Sequence, residues 1–415
     1  MDKKLTIAFL VQTLGWNPFD QGGASIQVAH ILDHLRKAGH TVNLVTINKD
    51  KCVKVLNGSN QPLDVRMKLT KGRLFKFLES SLRFMQGKLH LPWFQIFDSF
   101  RIVDAISQNL RNVDLLHERN SMHGFGVALA HQILKLPYVL SVDADFLFEH
   151  DYLGLVHTRL ERWIARLTAS YNYHSADAIT CVSSVMKNYL VAEYKVQEDK
   201  IWVIPNGADA NFAPDVESSN RTREALGLAG HPVIMFVGGF YPWHGLDLLI
   251  DSFRTVVQKM PEVRLVLVGD GETRPMIQEI VRENNISDKV IFTGRVPHKV
   301  ISNYLYFADI LVAPYPRMET PIWHSPMKLF EYMSSGKAIV ASRAGQIGEI
   351  VEDGQTGLLV EPGDSDETAE AMLRLLSDSS LRERIGRNAK ELVNREYTWG
   401  KYVERLEAIY QQVLL

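Results

Sequence analysis

Residues 323–345 read WHSPMKLFEYMSSGKAIVASRAG, and the rest of the chain is best read as a frame for them. The stretch opens on turn residues (His324, Ser325, Pro326), runs as a short helix, and passes through Ser334, Ser335 and Gly336 into an apolar strand at Ala338–Ala341. Pro326 suits the first turn of a helix, where its missing N–H is not needed, and Ser325 is then the expected N-cap. The start of such a helix, Ser325 to Met327, offers free amides and a partial positive charge to an anion such as phosphate. Lys328 adds a full positive charge one turn in. Glu331 follows on the same side and can accept two hydroxyl hydrogens, as from a ribose. Taken alone, the stretch also reads as an amphipathic helix with a solvated Lys–Glu pair.

Around it, apolar runs alternate with helical patterns. Val233–Val237 ends in Gly238-Gly239, Val263–Val268 ends in Gly269-Asp270-Gly271, and Val290–Phe292 leads to Arg295 and Val296. Trp243-His244-Gly245 begins a helix, Ala308–Ala313 precedes Pro314, and Gly357–Val360 closes the sheet. Glycines at strand tips allow close approach of a ligand. Leu373–Leu376 and Ile385–Val393 read as helices, and the amphipathic tail 399–415 is expected to pack back on the first half. That half begins with the continuous apolar run Leu5–Val11, the mark of a parallel strand buried on both faces. A loop with Gly22 and Gly23 follows, then a helix and a strand at Thr41–Ile47, which together make a right-handed crossover. Val113–His117 reads as a strand with Glu118 at its end. Tyr138–Val142 delivers Asp143 and Asp145 to its carboxyl end, where α/β sheets bind ligands. Asp143, Asp145 and Glu118 are therefore acceptor-side candidates; for Asp145, capping of the next helix is an equal alternative. Residues 154–176 read as a helix, Ser183 as a helix cap, Pro205-Asn206-Gly207 as a turn and 215–222 as linker. These observations predict an α/β protein of two Rossmann-like doubly wound domains, 1–205 and 206–398.

Composition narrows the class. With 46% apolar and 23% charged residues the chain has the balance of a soluble globular protein, and a net charge of −2 gives no case for nucleic acid. Two distant cysteines, Cys52 and Cys181, point to a reducing compartment, and no spaced Cys/His set points to a metal. Met1–Lys4 lead straight into a strand, so no signal peptide is visible, and no apolar run has the length of a membrane span. A cytoplasmic location is expected, with peripheral attachment to the inner face of the membrane as a further possibility. Residues 66–101 carry that possibility. They alternate Lys and Arg with Leu, Phe and Met, which fits an anionic membrane surface or, equally, helices packed on the sheet with solvated lysines.

With these pieces together, the chain resembles the GT-B glycosyltransferases, most closely the large family-four group of retaining, nucleotide-sugar-dependent enzymes. The resemblance rests on VIPNGAD (203–209), FVGGFYPWHG (236–245), LVGDGE (267–272), FTGRVPH (292–298), ADILVAP (308–314), SPMKLFEYMSSGKAIVAS (325–342) and DGQTGLLVEPGD (353–364), in the family's order. It implies two Rossmann-like domains facing a cleft, with donor in the C-terminal domain and acceptor in the N-terminal one. It implies that Glu331 holds the donor ribose, that Ser325, Pro326 and Met327 cradle the diphosphate, that Arg295 and Val296 flank the base, and that Gly22 and Gly23 close over the phosphates. Asp143 falls where many members place a histidine.

The chain departs from the family's pattern at several points. Trp323 replaces the first glutamate of the family's pair, with Glu319 a neighbouring substitute. Gly239 and His244 stand where basic residues are usual, so phosphate charge falls to Lys328, His244 and Arg274. The implied activity is transfer of a sugar from a nucleoside-diphosphate sugar to a glycan or lipid-linked acceptor, as in polysaccharide biosynthesis, with retention and with neither metal nor other cofactor. The leaving phosphate or Asp143, less readily Glu118, takes the acceptor proton. A nucleotide-sugar epimerase or phosphorylase, or a non-catalytic nucleotide-sugar binder, is the alternative.

Overall fold

The computed structural model describes residues 3–17, 22–88, 95–147, 150, 158–209, 213–318, 323 and 325–415. The chain forms two compact units, one of residues 1–204 with 403–415 and the other of residues 205–402.

The first unit is built on eight strands: β1 (Thr6–Val11), β2 (Thr41–Ile47), β3 (Val53–Leu56), β4 (Pro62–Leu63), β5 (Leu115–Arg119), β6 (Tyr138–Val142), β7 (Ala178–Cys181) and β8 (Ile201–Val203). Their order is β4-β3-β2-β1-β5-β6-β7-β8. All neighbours are parallel except the β2–β3 and β3–β4 pairs, which form an antiparallel edge. The second unit holds β9 (Val233–Val237), β10 (Arg264–Val268), β11 (Val290–Gly294), β12 (Ile310–Ala313), β13 (Ala338–Ser342) and β14 (Leu358–Val360). These form a wholly parallel sheet in the order β11-β10-β9-β12-β13-β14.

Alternation along these strands feeds two cores in the second unit. Val233, Met235 and Val237 join Leu329, Phe330, Tyr332 and Met333 of the Met327–Ser335 helix on one face. Ile234 and Phe236 join Leu249, Ile250 and Phe253 of the Leu246–Lys259 helix on the other. Both faces are covered, so the strands carry unbroken apolar runs.

One sequence expectation changes here. Residues 215–222 are not a linker but most of a helix, Val216–Ala225, because the Asp215 carboxylate caps the Ser218 amide at 3.1 Å. Residues 66–101 supply two helices, Arg73–Lys88 and Ile96–Asn109. The 154–176 helix runs Arg159–Ser175 where described, with Thr158 as its cap. Among the described residues no helix is long and apolar enough to cross a membrane.

The last helix, Trp399–Val413, contributes two polar contacts to the first unit. Glu407 meets His40 Nε2 at 2.8 Å, and the Tyr410 hydroxyl meets His117 Nδ1 at 2.5 Å. His117 lies in β5, and its other nitrogen meets Ser141 Oγ at 2.7 Å. Complete burial pushes the His117 pKa down to about 3, so the ring is neutral and needs both partners. Tyr410→Phe strips one of them and should lower stability by about 1–3 kcal/mol in urea unfolding. An unchanged midpoint would show that this contact does not hold the terminal helix.

Candidate active site

The second sheet changes direction between β9 and β12, and open α/β sheets bind ligands at such a point, outside the carboxyl ends of the strands. The two strands pair only at Ile234/Ile310 and Met235/Leu311. Beyond that they separate, and the Val237 amide and carbonyl turn to the Tyr332 hydroxyl instead. It accepts from Val237 N at 2.8 Å and donates to Val237 O at 3.3 Å. The Met327–Ser335 helix is thereby fixed to the tip of β9.

One turn toward its start, Lys328 reaches into the opening. Its Nζ is buried, makes no hydrogen bond among the described residues, and lies 4.3 Å from the centre of the Phe236 ring and 5.9 Å from that of Tyr315. Burial pulls its pKa down to about 7, with Glu331 opposing the shift. Buried ammonium groups are normally paired, and this one has no such partner among the described residues. A side chain at Gly238 would meet Lys328 Nζ at 2.9 Å, so the glycine makes room for the lysine.

Glu331 is not open. His298 Nε2 lies 2.7 Å from its Oε1, and this hydrogen bond raises the His298 pKa. His298 is the site residue that sequence reasoning passed over, although it ends the quoted FTGRVPH motif. Ser325 is nearly buried but does not cap the helix. Its hydroxyl accepts from Asn206 N at 3.0 Å and its carbonyl from Asn206 Nδ2 at 2.8 Å. Pro326 takes the N-cap position with no side-chain cap, and Met327 is the first helical residue. The expected serine cap therefore becomes a tie to the 205–207 turn.

The remaining strand tips divide by role. Gly269 and Gly271 pack against the backbone of Gly238 and Phe240, where a side chain would come within 1.9 Å and 2.4 Å of carbonyl oxygens. Their lack of a side chain serves the loop's own packing. His244 Nδ1 donates to Gly239 O at 2.5 Å, and the ring stands 6.0 Å from that of Tyr315. Arg295 is exposed and Val296 packs at the edge of the core. Arg274 is held by Asp270 at 2.8 Å. Trp323 is buried, and Glu319 lies outside the described residues.

In the first unit Gly22 caps the Gly23–Lys37 helix, which has no side-chain cap and no acidic residue in its first turn. Both glycines are exposed, and a side chain at Gly22 would meet open space. Glu118 is corrected: β5 runs two residues further than expected, which draws Glu118 into the sheet with no exposed surface. Gln12 and Tyr138 donate to its two oxygens, the latter at 2.6 Å. It is a core residue, unable to meet an acceptor. Asp143 pairs with Arg119 Nε at 2.9 Å and accepts from Gln27 at 3.4 Å. Asp145 takes the capping alternative. It is nearly buried and accepts from Leu147 N at 2.9 Å and from the Tyr189 hydroxyl. Among the described residues no cluster of three or more His, Cys, Asp or Glu is arranged to hold a metal ion.

Two α/β units with parallel sheets define the GT-B class of glycosyltransferase fold. Anabaena HepE solved with UDP is similar over 98% of this chain and 100% of its own, with a TM-score of 0.71 at 20% identity. Its UDP-glucose complex covers 99% and 98%, with a TM-score of 0.67 at 22% identity. Residues 21–212 match the family described as Glycosyltransferase Family 4, and residues 231–378 the family described as Glycosyl transferases group 1. Both matches are to glycosyltransferase families, one over each half of the chain. An uncharacterized glycosyltransferase of Methanocaldococcus jannaschii is 28% identical over 302 residues, covering 72% of this chain and 76% of that one. The alpha-D-kanosaminyltransferase of Streptomyces kanamyceticus is 24% identical over 288 residues, covering 69% and 73%.

The two buried β5 groups give a pH signature. Burial pushes Glu118 up from 4.5 to about 7, so folding retains its proton and stability falls as pH rises through that window. His117 is pushed down from 6.5 to about 3, so its contribution rises with pH up to 6.5. The two slopes oppose each other where the windows overlap. Glu118→Gln removes one of them. Relative to wild type, the variant should gain roughly 2 kcal/mol in urea titrations between about pH 5 and pH 6.5. A difference independent of pH would show that Glu118 titrates normally.

Proposed function

We propose that this glycosyltransferase moves a sugar from a nucleoside-diphosphate sugar to a glycan or lipid-linked acceptor, with retention and without a metal or other cofactor. The observation that carries this reading is the buried Lys328 ammonium, unpartnered among the described residues, at the switch point of the second sheet and beside the uncapped start of its own helix. A diphosphate placed there meets one full positive charge and the helix's partial one. Both are fixed before the reaction, so they stabilise charge as it develops on the departing nucleoside diphosphate. HepE, whose structures hold UDP and UDP-glucose, supplies the precedent for such a donor on this fold.

In this reading Glu331 exchanges its bond to His298 for the two hydroxyls of the donor ribose. Arg295 and Val296 flank the base, while His244 and Arg274 supplement the charge on the phosphates. Asp143 is anchored to Arg119, so the acceptor proton passes to the leaving phosphate rather than to a side chain. The reaction is placed in the cytoplasm, with the protein peripheral on the inner face of the membrane, as suits polysaccharide or glycolipid assembly.

Lys328→Ala should lower kcat by about a hundredfold, as loss of a preorganised electrostatic group does. It should also remove a pH dependence. The free lysine loses its proton above about pH 7, so wild-type UDP binding must take up a proton there and weaken as pH rises. Calorimetry in buffers of different ionisation enthalpy reads that uptake, and wild-type turnover by the alanine variant would exclude the role. Glu331→Ala should raise the donor KM with a smaller effect on kcat; an unchanged donor KM would remove the ribose contact.

A further inference from the structure

The Arg73–Lys88 helix is packed inside out. Its inward face carries Glu79, Arg83 and Gln86 around a single partly buried aromatic, Phe75. Its outward face carries Leu74, Phe77, Leu78, Leu82 and Met85, spaced three and four residues apart in one stripe. Leu74 is 71% exposed and Phe77 67%. A helix folding onto its own protein ordinarily does the reverse, because burying apolar area is the main gain from packing.

The inversion is held in place by charge. Glu79 accepts from Arg83 at 2.9 Å and from Arg101 at 2.5 Å, and Arg101 also meets Asp98 at 3.0 Å. Asp98 and Arg101 belong to the Ile96–Asn109 helix, so this network fixes the rotation of one helix on the other. Phe75 meets Phe97 edge-on at 5.4 Å within the same contact. The arginines hold the Glu79 carboxyl below its ordinary range despite its burial. Rotation that buried the apolar stripe would break these ion pairs.

Along this segment the exposed charge has one sign. Between residues 66 and 88 the exposed charged side chains are Arg66, Lys68, Lys71, Arg73, Lys76 and Lys88, and the one acid, Glu79, is buried. Lys88 lies over the Phe84 ring at 4.9 Å, its stem along apolar surface and its ammonium at the edge. An apolar stripe rimmed by four or more cations complements an anionic bilayer, with headgroups meeting the rim and acyl chains meeting the stripe. A second copy of the chain fits less well, since a two-fold contact would set these cations against their own images.

We propose that the outward face of the Arg73–Lys88 helix is a membrane-docking surface that lies in the interface of an anionic bilayer, Phe77 and Leu78 down. This extends the membrane-side reading above by naming the element and its side chains. Binding needs neither donor nor turnover, so its failure and the failure of the transferase reading are separable.

The test is flotation of the full chain with phosphatidylcholine vesicles, with and without 30% phosphatidylglycerol, at low and high salt. Wild type should float with the anionic vesicles at low salt, release at high salt, and ignore the neutral ones. Phe77→Ser with Leu78→Ser should weaken partitioning by about tenfold or more while UDP affinity and the urea midpoint stay unchanged. Lys71→Glu with Lys76→Glu should abolish the preference for anionic lipid. Wild type that stays off the anionic vesicles would overturn the proposal, and so would undiminished binding by the serine variant. Sedimentation showing a wild-type dimer that the serine variant dissociates would assign the face to a second copy instead.

Discussion

The contact on which the second unit turns is the Tyr332 hydroxyl at the tip of β9. A parallel sheet that reverses its winding must let two central strands part, and parting exposes backbone groups that would otherwise be paired. Here β9 and β12 separate after two residue pairs, and one phenol satisfies both the amide and the carbonyl of Val237. The same bond fixes the height of the Met327–Ser335 helix over the sheet. With that height fixed, Lys328 has little choice. Its ammonium lies near the Phe236 and Tyr315 rings and ends beside Gly238, where there is no side chain to block it.

How much of this a reader of the sequence can see depends on the range of the interaction involved. Strands such as Val233–Val237 are legible because burial on both faces leaves an unbroken apolar run. The glycines at strand tips are legible as glycines, but not their purpose. Gly238 makes room for Lys328, whereas Gly269 and Gly271 make room for neighbouring backbone. Glu118 was misplaced because an acid at the end of an apolar run reads as the first loop residue. Only Gln12 and Tyr138, 106 and 20 residues away, show why it lies inside the sheet. Ser325 fits the local grammar of a cap, yet its hydroxyl serves Asn206, 119 residues away. Short-range patterns cannot report such partners.

The Arg73–Lys88 helix shows the same limit from the other side. Its hydrophobic periodicity is plain in the sequence, but periodicity gives the existence of an apolar stripe and not the direction it faces. The direction is set by where Glu79 and Arg83 find Arg101 and Asp98, which only the folded chain decides. Of the two sequence readings of this segment, an anionic-membrane surface or packed helices with solvated lysines, the contacts of Glu79 and Arg83 bear on the second. The helix is packed, by its polar side.

Lys328 and Glu331 stand in contrasting states, and the contrast bears on how such a site can be both stable and reactive. An unpaired buried ammonium is unfavourable, and the fold tolerates it because the group can release its proton near neutrality. An anion arriving at the helix start restores the charge and supplies the missing partner in one event. Glu331 is already satisfied by His298, so a ribose must compete for a carboxylate that has a donor at 2.7 Å. Phosphate binding thus relieves a penalty while ribose binding exchanges one hydrogen bond for others. Most of the binding free energy should accordingly reside at the diphosphate end, beside the bond that breaks, where it can be used to stabilise the departing charge.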